Sequence, residues 1–172
     1  MLRSLLIALA VLFAHACSSV ASDSPTRLTK EGNASMHESC RAEVVQLHAF
    51  FEAWFLGELE QTDEAFERFA VALADEFVMV SPGGVAFSRL EILDRVRGAH
   101  GSAAVGSGPA MKVYTRAEQV RTIGDGLFLV TYEEWQAEGG VERGRISSAL
   151  LRARPGTPNG VEWIHLHETW LE

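Results

Sequence analysis

The chain has 172 residues, 47% of them apolar and 22% charged, with a formal net charge of -8. That length and apolar content suit one folded domain with a full core and exclude a disordered chain. No cluster of Lys or Arg stands out against that balance except Arg143, Arg145, Arg152 and Arg154 on one segment. A nucleic-acid surface is thereby excluded, because phosphate binding needs cation density.

Met1 to Ala16 carries one positive charge at Arg3 and an apolar run from Leu5 to Ala14, the layout of a secretory signal peptide over 1–21. The run is about ten residues where a spanning helix needs ~20, so a transmembrane anchor is disfavoured. Ala14-His15-Ala16 before Cys17 resembles a bacterial lipoprotein cleavage site, although Ala14 and His15 depart from that pattern. A lipid on Cys17 would be the one route to a membrane; a cut after Ala21 is the alternative. The expected location is secreted, periplasmic or envelope-associated, or cytoplasmic if translation starts at Met36. Residues 22–36 are Ser/Thr/Asp/Lys-rich and aperiodic and read as a flexible linker, with the glycosylation triplet Asn33-Ala34-Ser35 inside it. Cys40 is the single cysteine of a chain beginning at Ser22, so no disulfide forms within a monomer. Its place on a core-facing helical position reads as a buried structural thiol.

The domain proper is expected over 37–172. From His37 to Leu59, the residues Cys40, Val44, Leu47, Phe51, Trp54 and Phe55 recur at helical spacing, which predicts a long amphipathic helix. Thr62 with Asp63 and Glu64 starts a second helix, carrying Phe66, Phe69 and Leu73 on one face. Glu76 to Ser81 and Val85 to Phe87 read as short strands around Pro82-Gly83-Gly84. Ser88-Arg89-Leu90-Glu91 is a capping box opening a third helix that ends near Gly98. Gly101 to Pro109 is a Gly/Ser/Ala loop, read as a mobile rim. Four strands follow: Met111 to Ile123, Leu127 to Glu138, Val141 to Arg154, and Val161 to Leu171. Gly124-Asp125-Gly126 and Gly139-Gly140 supply their tight turns. Helices followed by an antiparallel meander imply an α+β fold, a sheet curled around helices with a cavity between them.

This order resembles the nuclear transport factor 2-like superfamily, with its ketosteroid isomerase, SnoaL-like and calmodulin-dependent kinase II association-domain members. The resemblance is carried by Phe50-Phe51-Glu52-Ala53-Trp54, by Phe77-Val78-Met79-Val80-Ser81-Pro82-Gly83-Gly84, and by the ending Trp163-Ile164-His165-Leu166-His167-Glu168. It covers about Cys40 to Leu171. It implies a cone-shaped curved antiparallel sheet wrapped around the long N-terminal helix, a pocket at the open end, and a homodimer packed through the sheets.

Side chains alternate across a strand, so each strand divides into two faces. On the last strand Ile164, Leu166, Glu168 and Trp170 form the more apolar set and are assigned inward. Trp163, His165, His167 and Thr169 are assigned outward. On the strand Leu127 to Glu138 both faces are apolar at first; matching to the superfamily turns the Glu133 and Trp135 face inward and Tyr132 outward. Arg145 shares its face with Ser147, Ala149 and Leu151. The expected site is therefore Glu133, Glu168 and Arg145, walled by Phe51, Trp54, Trp135 and Trp170, with His100 or His48 at the mouth. A few polar groups converging in an aromatic cavity suit a small-molecule ligand. A desolvated Glu133 or Glu168 would suit general-base work. The plainer reading is an ion pair from Arg145 to one glutamate that closes the cone.

His165 and His167 share one face at metal-ligand spacing, but Glu168 points away and no third ligand is placed, so no metal is expected. Nucleophile elbows, phosphate loops and zinc-type cysteine pairs are absent, and no cofactor is expected. Three functions stand open: a small-molecule-binding domain, a SnoaL-like isomerase, cyclase or dehydratase using a pocket glutamate, and an oligomerisation module with a vestigial pocket.

Overall fold

Lys30–Leu56 form α1, the helix on which the rest is laid; the structure, a computed structural model, describes residues 30–103 and 110–172. The leader with Cys17, residues 22–29 of the expected linker, and 104–109 of the Gly-rich loop lie outside the described residues. α1 takes in 30–36, which the sequence reading gave to the linker, and the triplet at Asn33 lies within it. His37 near its start hydrogen-bonds Thr122 at 2.8 Å, which ties this end to the sheet. The helix stops at Leu56 rather than Leu59 because Gly57 adopts φ +72°, and Gly57 N and Glu58 N donate to Trp54 O and Ala53 O. Those two bonds are the Schellman closure of a helix end.

α2 (Asp63–Ala70) is capped by Thr62, whose hydroxyl accepts from Ala65 N at 3.2 Å. α3 (Arg89–Gly98) opens with the expected capping box of Ser88 and Glu91. Leu73, expected on the second helix, instead begins β1 (Leu73–Val80), since α2 ends at Ala70. β2 (Ala86–Ser88) pairs back on β1, and β3 (Lys112–Gly124), β4 (Leu127–Glu138), β5 (Val141–Ala153) and β6 (Val161–Trp170) form the meander.

The six strands lie in the order β2-β1-β6-β5-β4-β3. β1 runs parallel to β6, so the sheet is mixed where the sequence reading expected it wholly antiparallel. Four register shifts interrupt its ladders, and two of them bear on the site. Ala117 sits at φ 57° where β3 shifts register against β4 between Arg116 and Gln119. Ile164 is surplus on β6, since Leu151 pairs Trp163 while Leu150 pairs His165. Bulges of this kind bend a strand and raise its twist.

The concave face closes on α1. Phe128, Val130, Tyr132, Ala149 and Leu151 meet Cys40, Val44, Leu47 and Trp54 in a core that also takes Phe66 and Phe69 of α2. Each fully buried large apolar side chain contributes ~1.5–3 kcal/mol, and these residues hold α1 and α2 against the sheet. Glu43 of α1 is buried there but fully engaged, accepting from Arg68, Asn159 and the Trp163 indole. No helix among the described residues is long and apolar enough to cross a membrane.

Candidate functional site

A cavity of about 200 Å³ lies between α1 and the concave face, below the open end of the cone. One wall is apolar, built from Phe51 and Phe55 of α1, Phe69 of α2, Phe77 and Met79 of β1, Ile92 and Val96 of α3, and Leu166 of β6. The opposite wall carries His48, Tyr132, Glu134, Gln136, Arg145 and Glu168.

His48 is turned onto its own helix by the four-residue spacing. Its Nδ1 stands 2.7 Å from Val44 O, and a carbonyl only accepts, so Nδ1 carries a proton. Its Nε2 stands 3.0 Å from Glu134 Oε2. Burial would push the Glu134 carboxyl up, but the charges and hydrogen bonds of His48 and Arg145 outweigh it and hold the carboxyl well below its usual range. The His48 imidazole is raised because the attraction of Glu134 outweighs its own burial. A carboxylate that stays ionised needs a donor at Nε2, so His48 is an imidazolium. Arg145 donates to the other Glu134 oxygen, and burial, which would lower it, is outweighed by the same carboxylate.

Glu168 completes the group. Its Oε1 lies 3.2 Å from Arg145 Nε, an ion pair without hydrogen-bond alignment. Burial pushes this carboxyl up to about 7, more than the Arg145 charge pulls it down. Glu168 Oε2, Tyr132 Oη and Ser147 Oγ are buried and make no aligned hydrogen bond among the described residues, although Tyr132 faces Ser147 and Glu168 faces Glu134. Burial and the neighbouring carboxylates hold the Tyr132 phenol well above its usual range, so it remains a neutral donor. The cavity thus offers a phenol O–H and a carboxyl that exchanges its proton near neutrality, beside a fixed cationic and anionic pair.

Arg145 and Glu168 come together as the sequence reading expected, and Phe51 lines the cavity. Glu133 does not. It lies on the outer face, accepting from the Trp135 indole at 2.9 Å, and the inward residue is its neighbour Glu134. Tyr132, assigned outward, is inward for the same one-residue reason. Trp135 goes out with Glu133 and packs over Gly144, where an added Cβ would lie 2.9 Å from the ring. Trp54 is wholly buried in the core, donating to Val96 O, and does not line the cavity. His100 sits against the Trp54 ring at 4.5 Å and binds Leu59 O at 2.7 Å, away from the mouth. Trp170 lies at the exposed rim, while Trp163, assigned outward, lines the cavity. No three His, Cys, Asp or Glu side chains converge as metal ligands among the described residues.

His48, Tyr132 and Glu134 are the site residues the sequence reading missed or left at the margin. A signal for two of them was present. The Gly139-Gly140 turn joins two strands whose first pair is Glu138 with Val141, which sets Glu134 opposite Arg145. Directly opposed residues share a face, so an inward Arg145 requires an inward Glu134, and with it Tyr132.

Solved structures described as nuclear transport factor 2-like are similar to this chain. An NTF2-like protein of unknown function from Pseudomonas aeruginosa superposes with a TM-score of 0.67 at 22% identity, covering 78% of this chain and 99% of its own. The CaMKII hub homology domain of Chlamydomonas reinhardtii superposes with a TM-score of 0.52 at 17% identity, over 77% of this chain and 99% of its own. Both likenesses establish the fold. In sequence, sucrose-phosphatase 1 of Nicotiana tabacum is 26% identical over 151 residues, 87% of this chain but 35% of its own length. The chain therefore spans about a third of that curated relative. The family described as sucrose-6-phosphate phosphohydrolase C-terminal matches residues 40–172. That match runs from the first wholly buried residue of α1 past the end of β6, and the chain belongs to the sucrose-6-phosphate phosphohydrolase C-terminal family, built on a nuclear transport factor 2-like fold.

Proposed function

We propose that the domain binds a small, partly apolar molecule in the cavity between α1 and the sheet, with the ligand's polar end against Tyr132 and Glu168. The observation that carries this reading is a pair of buried oxygens from cavity-lining residues, Tyr132 Oη and Glu168 Oε2, that make no aligned hydrogen bond among the described residues. Buried polar groups are almost always satisfied, and an orphan costs about 1–3 kcal/mol, so two together point to an occupant. At about 200 Å³ the cavity takes a ligand smaller than a drug-sized one. Native mass spectrometry of protein purified from its own organism tests the reading. A retained small molecule, lost from Tyr132→Phe and Glu168→Gln proteins, is the expected result. Protein that carries no ligand and gains no thermal stability from any member of a metabolite library would overturn it.

A second reading is favoured by Glu168 alone: a carboxyl at about 7 with a free oxygen facing a cavity is placed for proton abstraction. This is the general-base enzyme of the SnoaL-like type, and of the two expected bases, Glu133 and Glu168, Glu168 is the one that lines the cavity. A turnover detected by metabolite screening that survives Glu168→Gln would remove that role. Self-association through the outer sheet face is the remaining proposal, supported by Ile146 and Val78, which stand there 47% and 37% exposed. Ile146→Lys is expected to yield a monomer by analytical ultracentrifugation.

A further inference from the structure

At the rim of the cone a second recess of about 360 Å³ is lined by Gln136, Glu138, Val141, Arg143, Arg145 and Trp170. Strand register sets Gln136 opposite Arg143 and Arg145 opposite Trp170, so these side chains share the concave face with Glu134 and Glu168. Trp170 is 50% exposed, a large ring left open in a hollow, with the Arg145 guanidinium 6.0 Å from its centroid. Arg143 and Glu138 make no ion pair and no side-chain hydrogen bond among the described residues.

We infer that this recess is a subsite for a neutral polyhydroxylated ring, a sugar or a related cyclic polyol. It deepens the reading of the inner cavity and rests on it, because Gln136 and Arg145 line both hollows. The indole face supplies apolar contact for the C–H face of such a ring. Around it stand a donor, the Arg143 guanidinium, and acceptors, the Glu138 carboxylate and the Gln136 amide oxygen, the Gln136 amide nitrogen being held by Glu134 at 3.0 Å. Hydroxyls both donate and accept, so a polyol uses the whole set. An anion would meet Glu138 in the recess and the Glu134 carboxylate behind Arg145; a cation would meet Arg143. The volume lies toward the lower end of the ~300–1,000 Å³ of small-molecule sites, room for one ring with its substituents.

The test uses the full chain with glucose, sucrose and glucose 6-phosphate as probes, followed by saturation-transfer NMR and tryptophan fluorescence. Both sugars are expected to bind, with about a tenfold or greater loss in Trp170→Ala and a smaller loss in Arg143→Ala. Arg143 is exposed, so its variant keeps the test alive if Trp170→Ala misfolds. Glu168→Gln and Tyr132→Phe serve as inner-cavity controls. Sugar binding weakened only by the inner pair overturns the rim subsite and leaves the cavity reading standing. Absence of any sugar signal at the solubility limit also overturns the subsite, while the metabolite screen still judges the cavity. Glucose 6-phosphate binding more than about tenfold tighter than glucose overturns the neutral class. A change of oligomeric state in Trp170→Ala, with no sugar bound, assigns the hollow to contact between copies and overturns the inference.

Discussion

Glu168→Gln isolates the energetic cost of the buried carboxylate. The native state holds this group at about 7 against an ordinary 4.5, so the native state retains a proton that the unfolded chain has released. For an acid raised in this way, stability is highest below about 4.5, declines as pH rises through the window to 7, and carries the full penalty above it. At about 1.4 kcal/mol for each pH unit, that penalty is about 3 kcal/mol. The value already includes the attraction of Arg145, and the amide keeps the side chain's size while removing its charge. Thermal unfolding of the two proteins at ~pH 5 and ~pH 8 is the assay. At the lower pH the melting points should nearly coincide. At the higher pH the variant should melt above the wild type by roughly 6–12 °C, given about 2–4 °C per kcal/mol in a chain of this size. Equal differences at both pH values, or a wild type that melts higher at ~pH 8, would refute a native carboxyl that resists ionisation.

Other substitutions probe other parts of the same architecture. Glu134→Ala leaves the His48 imidazolium and Arg145 facing each other in a buried site without the carboxylate between them. It is expected to cost about 3–5 kcal/mol in urea denaturation, and a loss below about 1 kcal/mol would contradict the charge assignment. Gly144→Ala drives a methyl to within 2.9 Å of the Trp135 ring and should cost about 1–3 kcal/mol, part of it regained in the Gly144→Ala/Trp135→Val double variant. Burial pushes the Cys40 thiol up to about 12, so a disulfide reagent should label it only as fast as the domain unfolds. Rapid labelling of the native protein would show that α1 opens locally.

Elements were legible in the sequence because their signals are local. Thr62 and Ser88 cap helices with side chains three residues from the amides they serve, and Gly139-Gly140 turns a hairpin by its own φ angles. The mixed sheet was not legible, because no residue of β1 advertises that its partner is β6, 87 to 90 positions on. Site residues failed where one face had to be chosen over another. Leu127 and Leu129 are as apolar as Phe128 and Val130, so hydrophobicity could not orient β4, and superfamily matching chose Glu133 over Glu134. On β6 the surplus residue at Ile164 breaks the alternation between Trp163 and Leu166, and both of those face the cavity. His48 was read at the mouth because a helix face does not disclose which of its polar residues meets a buried carboxylate from another element.

The same surplus residue governs how this strand may be compared with its relatives. A homologue whose last strand alternates regularly presents its inward side chains at intervals of two, whereas here the step from Trp163 to Leu166 is three. Aligned position by position, such a homologue would have its cavity-lining residues on one side of Ile164 matched to the outward histidines of this chain. Opening a one-residue gap at Ile164 restores the correspondence, and deletion of Ile164 would leave Glu168 facing the cavity.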